Sequence, residues 1–149
     1  VDSQIRELLN RGNTTFCRHD YEEAQVLYDN AISVYGKRGS EAAIDDKLMA
    51  IVHSNLSGAL LFLNQNENAL SHADRALQLW LEYVKSHGRR GAALLALGQT
   101  AESVQSYENG LKLSSAHQGI LSGLDFARAQ HRNVRISCLQ RSQARYAPS

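Results

Sequence analysis

Proline occurs once in this 149-residue chain, at position 148, so the strongest breaker of helices is missing from nearly all of it. Cysteine occurs only at positions 17 and 138. With no Cys-x-x-Cys and no Cys/His cluster, the sequence offers neither a disulfide framework nor a zinc or redox motif, and a reducing compartment is its simplest home. No run of 18 apolar residues is present, and residues 1–24 lack the basic-then-apolar layout of a signal peptide. A membrane span is therefore not expected, and the expected location is the cytoplasm. A net charge of +1 gives no global pull towards nucleic acid. The motifs of catalysis are missing as well: there is no Gly-rich phosphate loop, no Gly-x-Ser-x-Gly, no His-Glu-x-x-His, and no nucleophile with a base beside it. These gaps point away from an enzyme, a cofactor and a small-molecule substrate. His19, His53, His72, His87, His117 and His131 are scattered without ligand spacing, so no metal site is expected.

What is present is helical periodicity. Hydrophobic residues make up 43% of the chain and charged residues 21%, enough for one compact domain. Apolar and small residues recur at three- and four-residue spacing almost throughout, and β-branched alternation is scarce. The pattern predicts an all-α chain with seven helices, at about 2–17, 21–36, 42–63, 66–80, 83–97, 100–113 and 117–135.

One phrase recurs. "DYEEAQVLYDNAI" (20–32), "NENALSHADRAL" (66–77) and "TAESVQSYENGL" (100–111) share a rhythm of small residues. Ala24, Tyr28 and Ala31 align with Ala69, Ala73 and Ala76 at an offset of 45, and these align with Ser103, Tyr107 and Gly110 at an offset of 34. Upstream, Gly12, Ser57 and Gly91 stand at one constant distance ahead of Ala24, Ala69 and Ser103. Small residues belong where the two helices of a hairpin cross; the tyrosines are expected to fill the space between neighbouring hairpins. The first interval is the longer of the two, and "YGKRGSEAAIDDKLMAIVHSNLSG" (35–58) holds the surplus.

A 34-residue period of paired helices resembles the tetratricopeptide repeat. The resemblance covers about residues 5–114 and implies three repeats, near 5–38, 50–83 and 84–117, stacked as a right-handed superhelical solenoid. A capping helix over 117–135 would close the domain at 1–135, with Ile120, Leu121, Leu124, Phe126 and Ala127 covering the open apolar edge of the third repeat. Residues 136–149 then form a basic extension, either a continuing frayed helix or a tail, and not another repeat.

The concave face of such a solenoid is lined mostly by the first helix of each repeat, so function is expected there. Its polar candidates are Asn13, Asn55, Lys85 and Arg89; Lys85 and Arg89 lie one turn apart on one face. In this pattern the chain resembles the carboxylate-clamp subclass, which binds the C-terminal Glu-Glu-Val-Asp of heat-shock protein 70 and heat-shock protein 90 chaperones. The subclass has an asparagine directly after the first glycine, matched by Asn13. It has a second asparagine two residues before the small position of repeat two, matched by Asn55. A lysine and an arginine lie six and two residues before the third glycine, matched by Lys85 and Arg89. The fifth clamp residue of the subclass, a lysine, is replaced here by Leu9, which removes one charge-assisted contact of about 1.5–3 kcal/mol. Leu9, Thr15, Phe16, Ala59 and Ala92 are the expected lining. The resemblance implies a non-catalytic co-chaperone, or the chaperone-docking domain of a larger protein, with the peptide terminus as partner. The alternative reading is a scaffold for a different peptide or protein surface.

The remaining features have plainer readings. Tyr28, Tyr107, Phe16 and Trp80 read as packing residues. Trp80 and Leu81 stand where many repeats carry Asp-Pro, and would either join two helices smoothly or expose an apolar patch. Arg128, Arg132, Arg135, Arg141 and Arg145 form a basic stripe without interleaved aromatics, better read as a solvated helix end than as a nucleic-acid interface. His53 and His87 fall on first helices, where facing the groove would give a modest pH dependence; the plainer reading is a solvated histidine.

Overall fold

A computed structural model describes residues 1–38 and 45–146. Among these residues seven helices run in order: α1 (Asp2–Cys17), α2 (Tyr21–Gly36), α3 (Asp46–Phe62), α4 (Asn66–Leu79), α5 (Val84–Ala96), α6 (Thr100–Leu113) and α7 (Gln118–Tyr146). The pairs α1/α2, α3/α4 and α5/α6 are helical hairpins, each packed on the next, and α7 packs on α5 and α6. The expected start of α3 at 42 lies outside the described residues.

The repeat register is visible in the backbone. The left-handed residue that turns each hairpin is His19, Asn64 or Gly98, spaced by the same two offsets as the buried small positions. The extended residues Trp80 and Ser114, which leave the second helices of repeats two and three, are again one period apart. Their equivalent in repeat one is Tyr35, which remains inside α2, so the surplus residues follow a helix that does not stop on schedule.

Side-chain volume trades across each crossing. A Cβ on Gly12 would lie 2.5 Å from the ring of Tyr28, and one on Gly91 would lie 2.8 Å from the ring of Tyr107. The corresponding pair in repeat two is Ser57 and Ala73, both fully buried. Two crossings add a hydroxyl bond running in opposite senses. Ser57 on α3 donates to the Ala69 carbonyl on α4, whereas Ser103 on α6 donates to the Gly91 carbonyl on α5, both at 2.7 Å. The tyrosines therefore do more than fill gaps between hairpins: each lies first against the glycine of its own hairpin. Tyr107 also reaches Gly123 of α7.

The expected cap is partly revised. Ile120, Leu124 and Ala127 are buried against Tyr107, but Phe126 is 57% exposed. It lies about 100° around the helix from Ala127, turned towards a concavity shared with Ala92 and Val134. His131 bonds Thr100 at 2.8 Å and Arg128 pairs with Glu108 at 3.2 Å, tying α7 down. Residues 132–140 are all exposed, yet the helix continues to Tyr146.

Candidate functional site

The first helices of all three repeats converge on one recess, lined by Asn13, Phe16 and Cys17 of α1, Tyr28 of α2, Asn55 of α3, and Lys85 and Arg89 of α5. All four expected polar residues are here, brought together from three separate helices. The floor is a chain of hydrogen bonds. The Tyr28 hydroxyl donates to Asn13 Oδ1 at 2.8 Å, and Asn55 Nδ2 donates to the same oxygen at 2.9 Å. With its oxygen accepting twice, Asn13 is held with Nδ2 available as a donor. Asn55 is buried and its Oδ1 has no partner.

The two cations are uncompensated. Among the described residues neither Lys85 nor Arg89 has a carboxylate within ion-pair distance. Burial lowers the pKa of Lys85, and neighbouring Arg89 lowers it further. Burial also lowers that of Arg89, offset by Tyr83, Tyr28 and Tyr107. Arginine stays charged in any case, and its Nε is buried without a partner. Burial pushes the Tyr28 hydroxyl up to about 12, so it remains a proton donor to Asn13. The Arg89 guanidinium stands 6.0 Å from the Phe16 ring centroid. Two cations without a counter-charge, set beside amide donors, favour an anion, above all a carboxylate.

The lining differs from expectation. Phe16 borders the recess, and Ala92 borders an adjoining concavity that shares Lys85 and Arg89. Ala59 has no exposed surface, and Leu9 is 7% exposed within the core formed with Ile5 and Tyr28, so neither lines the groove. Helix rotation is the cause: both point into the hairpin stack rather than out of it. The Thr15 hydroxyl donates to the Gly12 carbonyl and lies beside a different concavity with Asn10 and Arg11.

Two residues of the site went unnoticed in the sequence. Gly58 gives Arg89 its room, since a Cβ there would lie 2.8 Å from Cζ. Cys17, which belongs to no motif in the sequence, also borders the recess. The histidines are also less scattered than their spacing suggests. His53 and His72 meet at 2.9 Å between Nδ1 atoms, and His87 Nε2 bonds the Leu81 carbonyl at 2.8 Å, so neither first-helix histidine joins the recess. Trp80 stacks on Tyr83 with centroids 4.7 Å apart, while Leu81 is 64% exposed.

No family model matches the sequence. Relatives do. The chain is 34% identical over 121 residues to the Protein STIP1 homolog of Dictyostelium discoideum, covering 81% of this chain and 20% of that protein. It is 30% identical over 114 residues to the Hsp70-Hsp90 organizing protein of Triticum aestivum, covering 76% of this chain and 18% of that protein. The chain thus spans about a fifth of the length of these relatives. Among solved structures, the second TPR domain of human RPAP3, in complex with the HSP70 peptide SGPTIEEVD, superposes with a TM-score of 0.71 at 26% identity, covering 85% of this chain and 96% of that one. No helix among the described residues is long and apolar enough to cross a membrane.

Proposed function

The chain is a tetratricopeptide repeat domain, and on that premise we propose that it binds the acidic C-terminal peptide, ending Glu-Glu-Val-Asp, of heat-shock protein 90 and heat-shock protein 70 chaperones. In this reading it docks a cytoplasmic co-chaperone to its chaperone and catalyses nothing itself. The observation that carries it is the pair of uncompensated cations, Lys85 and Arg89, facing the same recess as Asn13 and Asn55.

A C-terminal aspartate brings two carboxylates close together, which two cations one helical turn apart are spaced to receive. Asn13 Nδ2 donates to the chain end, and the free Asn55 Oδ1 accepts a peptide N–H, each filling a valence that the protein itself leaves open. An internal residue lacks the second carboxylate, so the recess selects a terminus. Leu9, drawn into the core, supplies no cation, and the charge falls on Lys85 and Arg89 alone. Residues 136–149 act as a basic extension outside the binding module, in keeping with the exposure of α7 beyond His131. The names of the relatives agree with the chaperone partner.

Calorimetric titration with Met-Glu-Glu-Val-Asp, beside its C-terminally amidated twin, tests the proposal. Binding of the free acid alone is expected. Equal binding of both peptides favours the scaffold alternative, and binding of neither overturns the chaperone assignment.

A further inference from the structure

We propose that Cys17 is a modification site built into the peptide recess: its thiol exchanges with a small anionic peptide disulfide, of which oxidised glutathione is the simplest, and the linked peptide then occupies the place of the chaperone terminus. The blocking half of this inference rests on the function proposed above; the exchange itself does not.

Cys17 is the last residue of α1, exposed, and borders the same recess as Asn55, Lys85 and Arg89. An exposed thiol alone defines no site. Here the walls around it have two unmet demands. Asn55 is 8% exposed with a buried Oδ1 that has no donor, which asks for an N–H. Lys85 and Arg89 have no carboxylate, which asks for one. A glutathionyl group carries both, amide N–H groups and a terminal glycine carboxylate, on a short tether from its sulfur. It is in chemical outline the end of a peptide chain, the class of ligand the recess selects.

The exchange balances without an external oxidant. The Cys17 thiolate attacks one sulfur of the disulfide, that S–S bond breaks as the new one forms, and the departing thiolate takes up the proton that Cys17 released. Selectivity comes from recognition of the incoming peptide by the charged walls of the recess. Cys138, the other thiol, is exposed on α7 with Arg141 Nη2 3.4 Å from its sulfur. It borders none of the recess and serves as the internal comparison.

The test uses the Cys138→Ser and Cys17→Ser proteins, each incubated at neutral pH with oxidised glutathione or with cystamine, a dicationic disulfide, and followed by intact mass. Cys17 is expected to react with the anionic disulfide on the order of tenfold faster than with the cationic one, as a charged cleft concentrates its counter-ion. Lys85→Glu, a change at an exposed position, is expected to abolish or reverse that preference. Equal rates, or a ratio untouched by Lys85→Glu, overturn the proposal. The mixed disulfide is then titrated with Met-Glu-Glu-Val-Asp. Loss of binding, restored by dithiothreitol, is expected; unchanged affinity overturns the blocking role. If the unmodified protein binds no peptide, the chaperone reading fails while the rate ratio still decides the fate of Cys17.

Discussion

The guanidinium of Arg89 occupies the volume that any side chain at position 58 would need: a Cβ on Gly58 would lie 2.8 Å from Cζ and 2.9 Å from Nη2. Helix α3 thus forms a flat backbone wall for the cation of α5. The residue that clashes is the far end of a flexible side chain, so Gly58→Ala has an unusual signature. Stability should hold or rise by up to about 1 kcal/mol, the intrinsic helical preference for alanine. Peptide affinity should fall on the order of tenfold as Arg89 is displaced, one such factor being about 1.4 kcal/mol. Urea denaturation and calorimetry on the same sample check both. Parental affinity in Gly58→Ala would dismiss the wall.

Asn13 differs from Lys85 in being structural as well as a ligand. Its Oδ1 is the acceptor for both the Tyr28 hydroxyl and Asn55 Nδ2. Asn13→Ala leaves two donors at the bottom of the recess without an acceptor, at a cost of about 1–3 kcal/mol, and abolishes peptide binding. Lys85 is exposed and has no ion-pair partner among the described residues. Lys85→Ala should lose binding while its stability stays within about 0.5 kcal/mol of the parent. If Asn13→Ala denatures at the same urea concentration as the parent, the hydrogen-bonded floor carries no weight.

Much of this was legible from the sequence because the repeat sets a ruler. Ala24, Ala69 and Ser103 are recognisable as equivalent by size alone, and once they are aligned, Asn13, Asn55, Lys85 and Arg89 fall on one face without any coordinates. What escaped depends on quantities a ruler does not measure. Whether Phe126 or Ala127 covers the third repeat is a matter of helix rotation. Leu9 and Ala59 look like lining until their helices are packed, when both turn inward. The contacts between Gly58 and Arg89, and between His53 and His72, depend on the residue types and rotamers that meet across elements, which the period alone does not fix. The unbroken helix past His131 has no packing to announce it; only the local preference of its Arg, Gln, Leu and Ala residues holds it.

The histidine pair makes stability depend on pH. His53 and His72 face each other Nδ1 to Nδ1 at 2.9 Å, a contact that needs one bare nitrogen. Burial, with His72 and Arg75 adding to it, pushes His53 down to about 4, and burial lowers His72 against the opposing pull of Asp29. In the unfolded chain both titrate near the ordinary value of about 6.5. The unfolded state therefore binds more protons below that value, and stability is full above it and lost as pH falls towards 4. The slope is about 1.4 kcal/mol per pH unit for each proton. Burial raises the pKa of Asp29, which opposes this trend at the acidic end of the window. Urea midpoints measured between neutral pH and pH 5 should fall steadily for the parent and less steeply for His53→Gln. Parallel curves would show that the pair carries no linkage.

The last helix is held by a glycine opposite a tyrosine. A Cβ on Gly123 would lie 2.5 Å from Tyr107 Cε1, 2.6 Å from Cζ and 2.8 Å from the hydroxyl. Unlike the end of Arg89, this ring has nowhere to go, because its other side rests on Gly91, where a Cβ would lie 2.8 Å away. Gly123→Ala must therefore lift α7 off α6, exposing Ile120, Leu124 and Ala127, with overpacking of this kind costing about 1–3 kcal/mol. Hydrogen exchange should show faster opening in α6 and α7 and little change in α1 to α4, since stacked repeats share stability chiefly with their neighbours. Peptide binding should survive, because Asn13 and Asn55 belong to the first two repeats and α5 keeps its contacts with α4. Uniformly faster exchange along the whole chain would instead show that the cap and the recess form a single cooperative unit, and that α7 is needed for binding as well as for closing the stack.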